Sequence, residues 1–285
     1  MDQGGLDYLF RRPFDGGQVK RAAATLLWAT VAIFIAGANQ EAFAIPPLVA
    51  GDVPTADKGR AELFLGTRHQ RTGDLERQIP FIELVLGVSS WQELTIEVPY
   101  LSLTPLQSGA RIGFGDVVVG TKMVFLRETE RRPGAALSVE AKLSNGDLKQ
   151  GLGSGAVDYE LRLRSQKTLG WFTALGNVGH TFVGTPVIEG VRQERRDVWF
   201  LAFGQEYRVA EKTKLVSEVY WRNSDIPGEA ASFAGDVGFK QELRSGLQVQ
   251  AAIGKSLRSG TLAEPQLRVY VGLKLAFPIA RVVPL

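Results

Sequence analysis

The fold is decided by the stretch PQLRVYVGLKLAF at residues 265–277. Apolar residues stand at every second position and small or polar residues lie between them: Leu267, Val269, Val271, Leu273, Leu275 and Phe277 alternate with Arg268, Tyr270, Gly272, Lys274 and Ala276. Because successive strand side chains point to opposite faces, this run has one apolar face and one mainly polar face. Soluble strands are commonly about 5–6 residues long, whereas a tilted strand that crosses a bilayer needs about 9–11. The length therefore favours a membrane-crossing strand, although a soluble β-sandwich would alternate in the same way.

The same alternation recurs along most of the chain. We predict strands at residues 60–68, 80–88, 92–100, 114–126, 135–143, 156–165, 169–182, 197–209, 213–222, 236–244, 247–255 and 265–277. Short and longer connections alternate between them, which is typical of an antiparallel meander. The sequence therefore predicts an all-β protein, a transmembrane up-and-down antiparallel β-barrel of about 12 strands over residues 60–277.

The composition fits a single exported domain. With 285 residues, 45% apolar and 22% charged, the chain is long enough for one barrel. The net charge of +3 comes with no basic cluster, which argues against a nucleic-acid partner. There is no cysteine, so stability would come from a closed hydrogen-bond ladder rather than from disulfides.

Residues 1–44 are interpreted as an N-terminal extension and a cleavable signal peptide. Lys20 and Arg21 precede an uncharged apolar run, and Ala42-Phe43-Ala44 has the small residues of a cleavage site at Ala42 and Ala44. The alternative is an uncleaved membrane anchor. Export predicts the outer membrane of a Gram-negative cell. Residues 45–59 contain three prolines and little pattern, and we predict a periplasmic lead-in there; residues 278–285 are predicted to form a C-terminal tail.

The charged faces of the strands are predicted to line the lumen. A basic residue turned to lipid at the bilayer midplane costs about 2–4 kcal/mol, so the apolar faces must point outward. The predicted lumen-lining residues are Glu140, Lys142, Glu160, Arg162, Arg164, Lys240, Glu242, Arg268 and Lys274. Charges of both signs at close quarters should pair across the interior. We therefore predict a constricted or plugged lumen that admits small solutes at most and has no strong preference for either ion sign.

Three short motifs resemble a known family. GFGD at residues 113–116 opens a strand, GLGSG at residues 151–155 forms a glycine-rich turn, and GNVGH at residues 176–180 lies within a later strand. In their order and spacing these resemble the outer-membrane proteins described as putative MetA-pathway of phenol degradation. SNGD at residues 144–147 stands where that family usually has PTG. The resemblance implies an outer-membrane barrel that helps small, often aromatic, compounds to enter the cell.

Residues with enzymatic chemistry are scarce. A lipase-type site needs a histidine beside a serine nucleophile, and only His69 and His180 are available, neither with a serine two residues further on. Glu93 and Glu97 could serve acid–base chemistry or bind calcium, but interleaved Lys and Arg favour neutralised pairs. The turn at residues 151–155 lacks the lysine-serine ending of a phosphate loop. We predict no catalytic residue, no cofactor and no metal site.

Passive uptake of small, possibly aromatic or hydrophobic, compounds is the function that these expectations favour. The alternative is a structural or surface-interaction barrel without flux, and an enzyme is the third reading. The expected partners are outer-membrane lipid, a small-molecule solute and the outer-membrane assembly machinery, and the barrel is expected to be a monomer.

Overall fold

The computed structural model describes residues 48–72, 75–105, 110–188, 190–258 and 266–279. The strands are β1 (Arg60–Thr72), β2 (Leu75–Gly87), β3 (Gln92–Pro105), β4 (Arg111–Phe114), β5 (Val118–Leu126), β6 (Gly134–Lys142), β7 (Asp158–Leu169), β8 (Phe172–Phe182), β9 (Val187–Ile188), β10 (Val191–Arg192), β11 (Val198–Ala210), β12 (Thr213–Arg222), β13 (Ser232–Arg244), β14 (Leu247–Arg258) and β15 (Leu267–Pro278). None of the described residues forms a helix long and apolar enough to cross a membrane.

Twelve of these strands close into a single antiparallel ring. Each of β1, β2, β3, β5, β6, β7, β8, β11, β12, β13, β14 and β15 pairs with the next, and β15 pairs back with β1 from Arg60↔Pro278 to Arg71↔Leu267. β4 and β5 both pair with β3, β4 with residues 100–103 and β5 with residues 92–97. β9 and β10 form a separate small hairpin. The prediction of a closed up-and-down barrel of about 12 strands is confirmed.

The connections distinguish the two ends of the barrel. At the end where β1 begins, neighbouring strands are joined over residues 88–91, 127–133, 170–171, 211–212 and 245–246; we call this the turn end. Gly170 and Gly246 have φ of 66° and 77° there, a left-handed conformation that two-residue hairpins require and glycine adopts without strain. The opposite end carries the connections 143–157, 183–197 and 223–231, and we call it the loop end. Short turns face the periplasm in outer-membrane barrels.

Alternation along each strand separates an apolar outside from a polar inside. On β7 the outward residues Tyr159, Leu161 and Leu163 are 55%, 42% and 48% exposed, whereas Arg162 and Arg164 between them are 6% and 8% exposed. The outside is therefore apolar and open to lipid. The two arginines are enclosed, as the cost of placing them in lipid requires.

One irregularity differs from the sequence prediction. The predicted strand 114–126 is interrupted: β4 ends at Phe114, and β5 begins at Val118. Pro99 lies inside β3, opposite this break, where its carbonyl accepts a hydrogen bond from the Gly115 amide at 3.0 Å. Because proline cannot donate to a ladder, a regular pair of strands could not continue past it.

Candidate functional site in the barrel lumen

Residues 48–58, which we call the inner segment, lie inside the barrel. The amides of Val49 and Ala50 donate to the two carboxylate oxygens of Glu218 at 2.6 Å each, and the amide of Ala56 donates to Glu93 at 2.7 Å. Glu218 is on β12 and Glu93 is on β3, in different sectors of the ring, so only a segment in the lumen can reach both. The prediction of a periplasmic lead-in at residues 45–59 is therefore corrected for its described part. Residues 1–47, with the predicted cleavage site at Ala42 and Ala44, lie outside the described residues.

The beginning of the inner segment packs against apolar side chains of the barrel wall. Leu48, Val49 and Ala50 are 4%, 1% and 3% exposed. They pack in one cluster with inward residues of β8, β11, β12 and β13: Leu175, Phe200, Ala202, Val216, Tyr220 and Ala234. A glycine makes room for this contact, because a Cβ on Gly204 would stand 2.9 Å from the Ala50 Cβ. Apolar burial therefore adds to the hydrogen bonds that hold the segment.

Side chains of β7 and β8 hold the backbone of the segment further. Asn177 accepts from the Gly51 amide and donates to the Gly51 carbonyl, both at 3.0 Å. Arg162 donates to the Val49 carbonyl at 2.9 Å and to Glu160 at 2.6 Å. Asn177 belongs to the GNVGH motif, so this motif contributes a contact with the inner segment.

Asp52 places an acid of the inner segment among basic side chains. Its carboxylate lies 3.3 Å from Lys122 Nζ, and it is 51% exposed to the space around it within the lumen. Burial opposes the ionised form, but Lys122, Lys240, Lys274 and Arg164 together outweigh burial and hold the pKa of Asp52 well below its ordinary value. The carboxylate therefore stays charged at neutral pH.

The nine residues predicted to line the lumen fall on inward positions of β6, β7, β13 and β15, and most of them form ion pairs. Arg162 pairs with Glu160 at 2.6 Å and Arg164 with Glu140 at 3.5 Å. The remaining pairs are Lys142–Asp158 at 2.5 Å, Lys240–Glu206 at 2.5 Å, Arg268–Asp236 at 2.9 Å and Lys274–Glu62 at 2.6 Å. Glu242 faces the lumen near the turn end, opposite Gln248. Ions of both signs are thus neutralised at contact distance.

Sequence reasoning missed the acids that matter most for the inner segment. Glu218 is 0% exposed and accepts hydrogen bonds from two backbone amides of the inner segment. Asp236, the cross-strand neighbour of Glu218, is 4% exposed and accepts a hydrogen bond from Arg268. Both lie on strands that the alternation predicted. Applying the inward/outward alternation to every residue of residues 213–222 and 236–244 would have identified them. Their contact with residues 49 and 50 carries no local sequence signal.

Closely packed side chains occupy the part of the lumen beside β1, β2, β12, β13 and β15, toward the loop end. Arg268 bonds to Tyr220 and Asp236, and Phe81 stacks on Tyr270 with ring centroids 6.1 Å apart. Arg68 lies over the Phe81 ring at 4.4 Å. Each of these side chains belongs to a residue less than 10% exposed. A cavity of about 20 Å³ remains beside Arg268 and Tyr270, which is close to the volume that one water needs.

The two histidines lie on the outer wall. His180 packs edge-on against Phe182 and Trp199, with ring centroids 4.5 and 4.4 Å away, and its Nε2 is 3.8 Å from Asp197. His69 pairs with Val269, an outward residue of β15. Within the described part of the chain neither histidine bonds to a serine hydroxyl, and no group of three or more His, Cys, Asp or Glu side chains is placed to hold a metal ion.

The GFGD motif anchors a loop at the loop end. Asp116 accepts hydrogen bonds from the Gly146 amide at 2.8 Å, the Ser154 amide at 2.6 Å and the Ser154 hydroxyl at 2.7 Å. The loop 143–157 is thereby fixed at the mouth of the barrel. Leu152 of this loop is 3% exposed and packs against Gly113. A Cβ added to Gly113 would lie 2.8 Å from the Leu152 Cδ1.

A closed ring of twelve antiparallel strands, apolar outside and charged inside, defines the class of outer-membrane β-barrels. The chain belongs to the family described as putative MetA-pathway of phenol degradation, whose model matches residues 58–263. This confirms the family that the three motifs indicated. A comparison with curated proteins gives no match.

Solved structures share the fold at low sequence identity. An outer membrane channel from Pseudomonas putida is 14% identical with a TM-score of 0.70, covering 82% of this chain and 100% of that one. The NanC porin is 8% identical with a TM-score of 0.54, covering 75% and 98%. The β domain of the Bordetella autotransporter BrkA is 11% identical with a TM-score of 0.52, covering 78% and 100%. At these identities the likeness establishes the barrel fold.

Proposed function

We propose that the protein is a passive, non-enzymatic channel for small solutes in the outer membrane of a Gram-negative cell, and that its inner segment holds it closed. The observation that carries this proposal is the seating of residues 48–56 inside a twelve-strand barrel by hydrogen bonds to Glu218, Asn177 and Glu93. The family and the channel and porin structures that share the fold support it.

The width of the barrel determines whether the inner segment can close the lumen. Eight strands leave an interior filled by side chains, whereas about 16–18 leave an open aqueous channel. A ring of twelve lies between these sizes, so a strand-width of extra chain is enough to close it. The inner segment is attached by its peptide link to β1 and otherwise by hydrogen bonds, one ion pair and apolar contacts. Its displacement would therefore open a path without disturbing the wall.

The chemistry of the interior supports small uncharged or aromatic solutes. Inward aromatic rings lie on several strands, among them Phe64, Phe81, Phe200, Tyr220 and Tyr270. The charged side chains between them are paired, so an ion entering the lumen would meet little net field of either sign. We propose that small, possibly aromatic or hydrophobic, compounds cross, that the barrel acts as a monomer, and that the nine predicted charged residues line the path.

A barrel without flux is the second candidate, and the close packing of inward side chains around Arg268, Tyr220 and Tyr270 favours it. One experiment separates the two. The wild type and a variant with residues 48–56 replaced by glycine and serine are reconstituted, and liposome swelling with sugars of increasing size and planar-bilayer conductance are measured. A channel predicts low wild-type conductance and a clear rise in the variant. Folded protein, checked by heat-modifiable migration, that conducts in neither form would establish the barrel without flux.

A further inference from the structure

The outer wall carries basic side chains in one sector of the loop end. In the described wall of this half, alternation places the basic residues Arg71 of β1 and Lys255 of β14 on the outside. Arg258 of β14 joins them because it pairs with the outward Phe233 across a register shift. Arg71 pairs with Leu267 of β15, and the pair Gly254↔Arg268 brings Lys255 beside the same Leu267. The three basic residues therefore surround the loop end of β15.

Aromatic residues occupy the corresponding height elsewhere on the wall. Exposed rings at the loop end come from β3, β4, β7, β8 and β11: Tyr100 at 42%, Phe114 at 63%, Tyr159 at 55%, Phe182 at 47% and Trp199 at 53%. Rings of this kind mark the membrane–water interface. At the described outward positions of β14, β15 and β1, the interface instead presents Lys255, Arg258, Leu267 and Arg71.

We propose that Arg71, Lys255 and Arg258 form a site on the outside of the barrel for the phosphate group of an outer-leaflet lipid. Basic side chains are strongly unfavourable deeper in the lipid, so at this height they must meet headgroups. Strands are about 4.8 Å apart, which puts β14 and β1 roughly 10 Å from each other across β15. Long Arg and Lys side chains can converge on one phosphate over that distance, and guanidinium groups bind phosphate oxygens in a bidentate manner.

Lys167 offers a comparison elsewhere on the wall. It is an outward lysine near the turn end, on β7, and its Nζ donates to the Thr129 carbonyl at 2.7 Å and lies 3.5 Å from Glu128.

The test uses the full chain in phosphatidylcholine vesicles with and without lipid A, a phosphorylated glycolipid. Bound lipid is counted by native mass spectrometry, and the temperature of heat-modified migration is recorded for each mixture. A basic residue near an anionic surface contributes about fivefold in affinity, so R71A, K255A and R258A should each lose about fivefold for lipid A and the triple variant about a hundredfold. K167A is the matched control and should bind lipid A as the wild type does, and R71K should retain binding.

Several outcomes would overturn the proposal. Equal retention of lipid A by the triple variant and the wild type is one. Equal loss in K167A would show that surface charge in general, and not this site, attracts the lipid. Displacement of lipid A by inorganic phosphate at comparable concentration would assign the site to a free anion. Conductance through the lumen is unaffected by these variants, so the result is independent of the proposed channel function.

Discussion

Removal of the Glu218 carboxylate tests whether the inner segment closes the lumen. The two oxygens accept the amides of Val49 and Ala50 at 2.6 Å each, and Glu218 is fully buried. A hydrogen bond is worth about 0.5–1.5 kcal/mol net, so Glu218→Ala, which removes two, weakens the attachment by about 1–3 kcal/mol. Since about 1.4 kcal/mol corresponds to a factor of ten, the ratio of open to closed channels should rise by about 5- to 150-fold.

Single-channel recording in planar bilayers measures that ratio directly. Glu218→Gln keeps one acceptor oxygen and should give an intermediate increase. Glu62→Ala is the matched control, because Glu62 is another inward acid whose ion-pair partner at 2.6 Å is Lys274 rather than the inner segment. If Glu218→Ala migrates as a folded barrel but opens no more often than the wild type, or if Glu62→Ala opens as often, then the inner segment does not close the channel.

Three further variants test other parts of the lumen. Exchange of Arg162 and Arg164 for alanine removes the donor to the Val49 carbonyl and the ion pair with Glu140, so single-channel conductance should rise. An unchanged conductance would show that these side chains do not narrow the lumen. Gly87→Ala places a Cβ on the Asp57 carbonyl, so it should loosen the inner segment and shorten closed times, whereas an unaltered record would contradict that contact. Asp52 has a lowered pKa, so its contribution persists above its ordinary pKa of 3.8 and is lost only as pH falls below it. Closure should hold from pH 8 to about pH 5, and Asp52→Asn should raise opening about two- to fivefold at neutral pH.

The wall of the barrel could be predicted because its signal is local. The strand predicted at residues 213–222 coincides with β12, and the last strand, predicted at 265–277, is observed at Leu267–Pro278. In each strand the two-residue period reports which side chains meet lipid and which are enclosed. The cost of a charge in lipid then fixes the orientation of the whole wall, and the inward placement of Arg162 and Arg268 follows from it.

The inner segment could not be predicted because its partners are distant in sequence. Val49 and Ala50 meet Glu218 after separations of 169 and 168 residues, and the segment has neither helix nor strand periodicity. Its prolines and small residues are equally typical of an exposed linker. The break between β4 and β5 was missed for a related reason. The alternation at residues 114–126 could not indicate the break, because the break depends on Pro99 of the neighbouring strand β3.

The inner segment remains joined to Arg60, the first residue of β1, whether or not it occupies its seat. It is therefore a ligand that cannot diffuse away from its receptor. A short tether holds such a ligand at an effective concentration on the order of millimolar, independent of how much protein the membrane contains. In the proposed channel, each opening is thus followed by an intramolecular rebinding step whose rate does not depend on protein concentration. The length of chain that can leave the lumen then helps to set how quickly the proposed channel closes again.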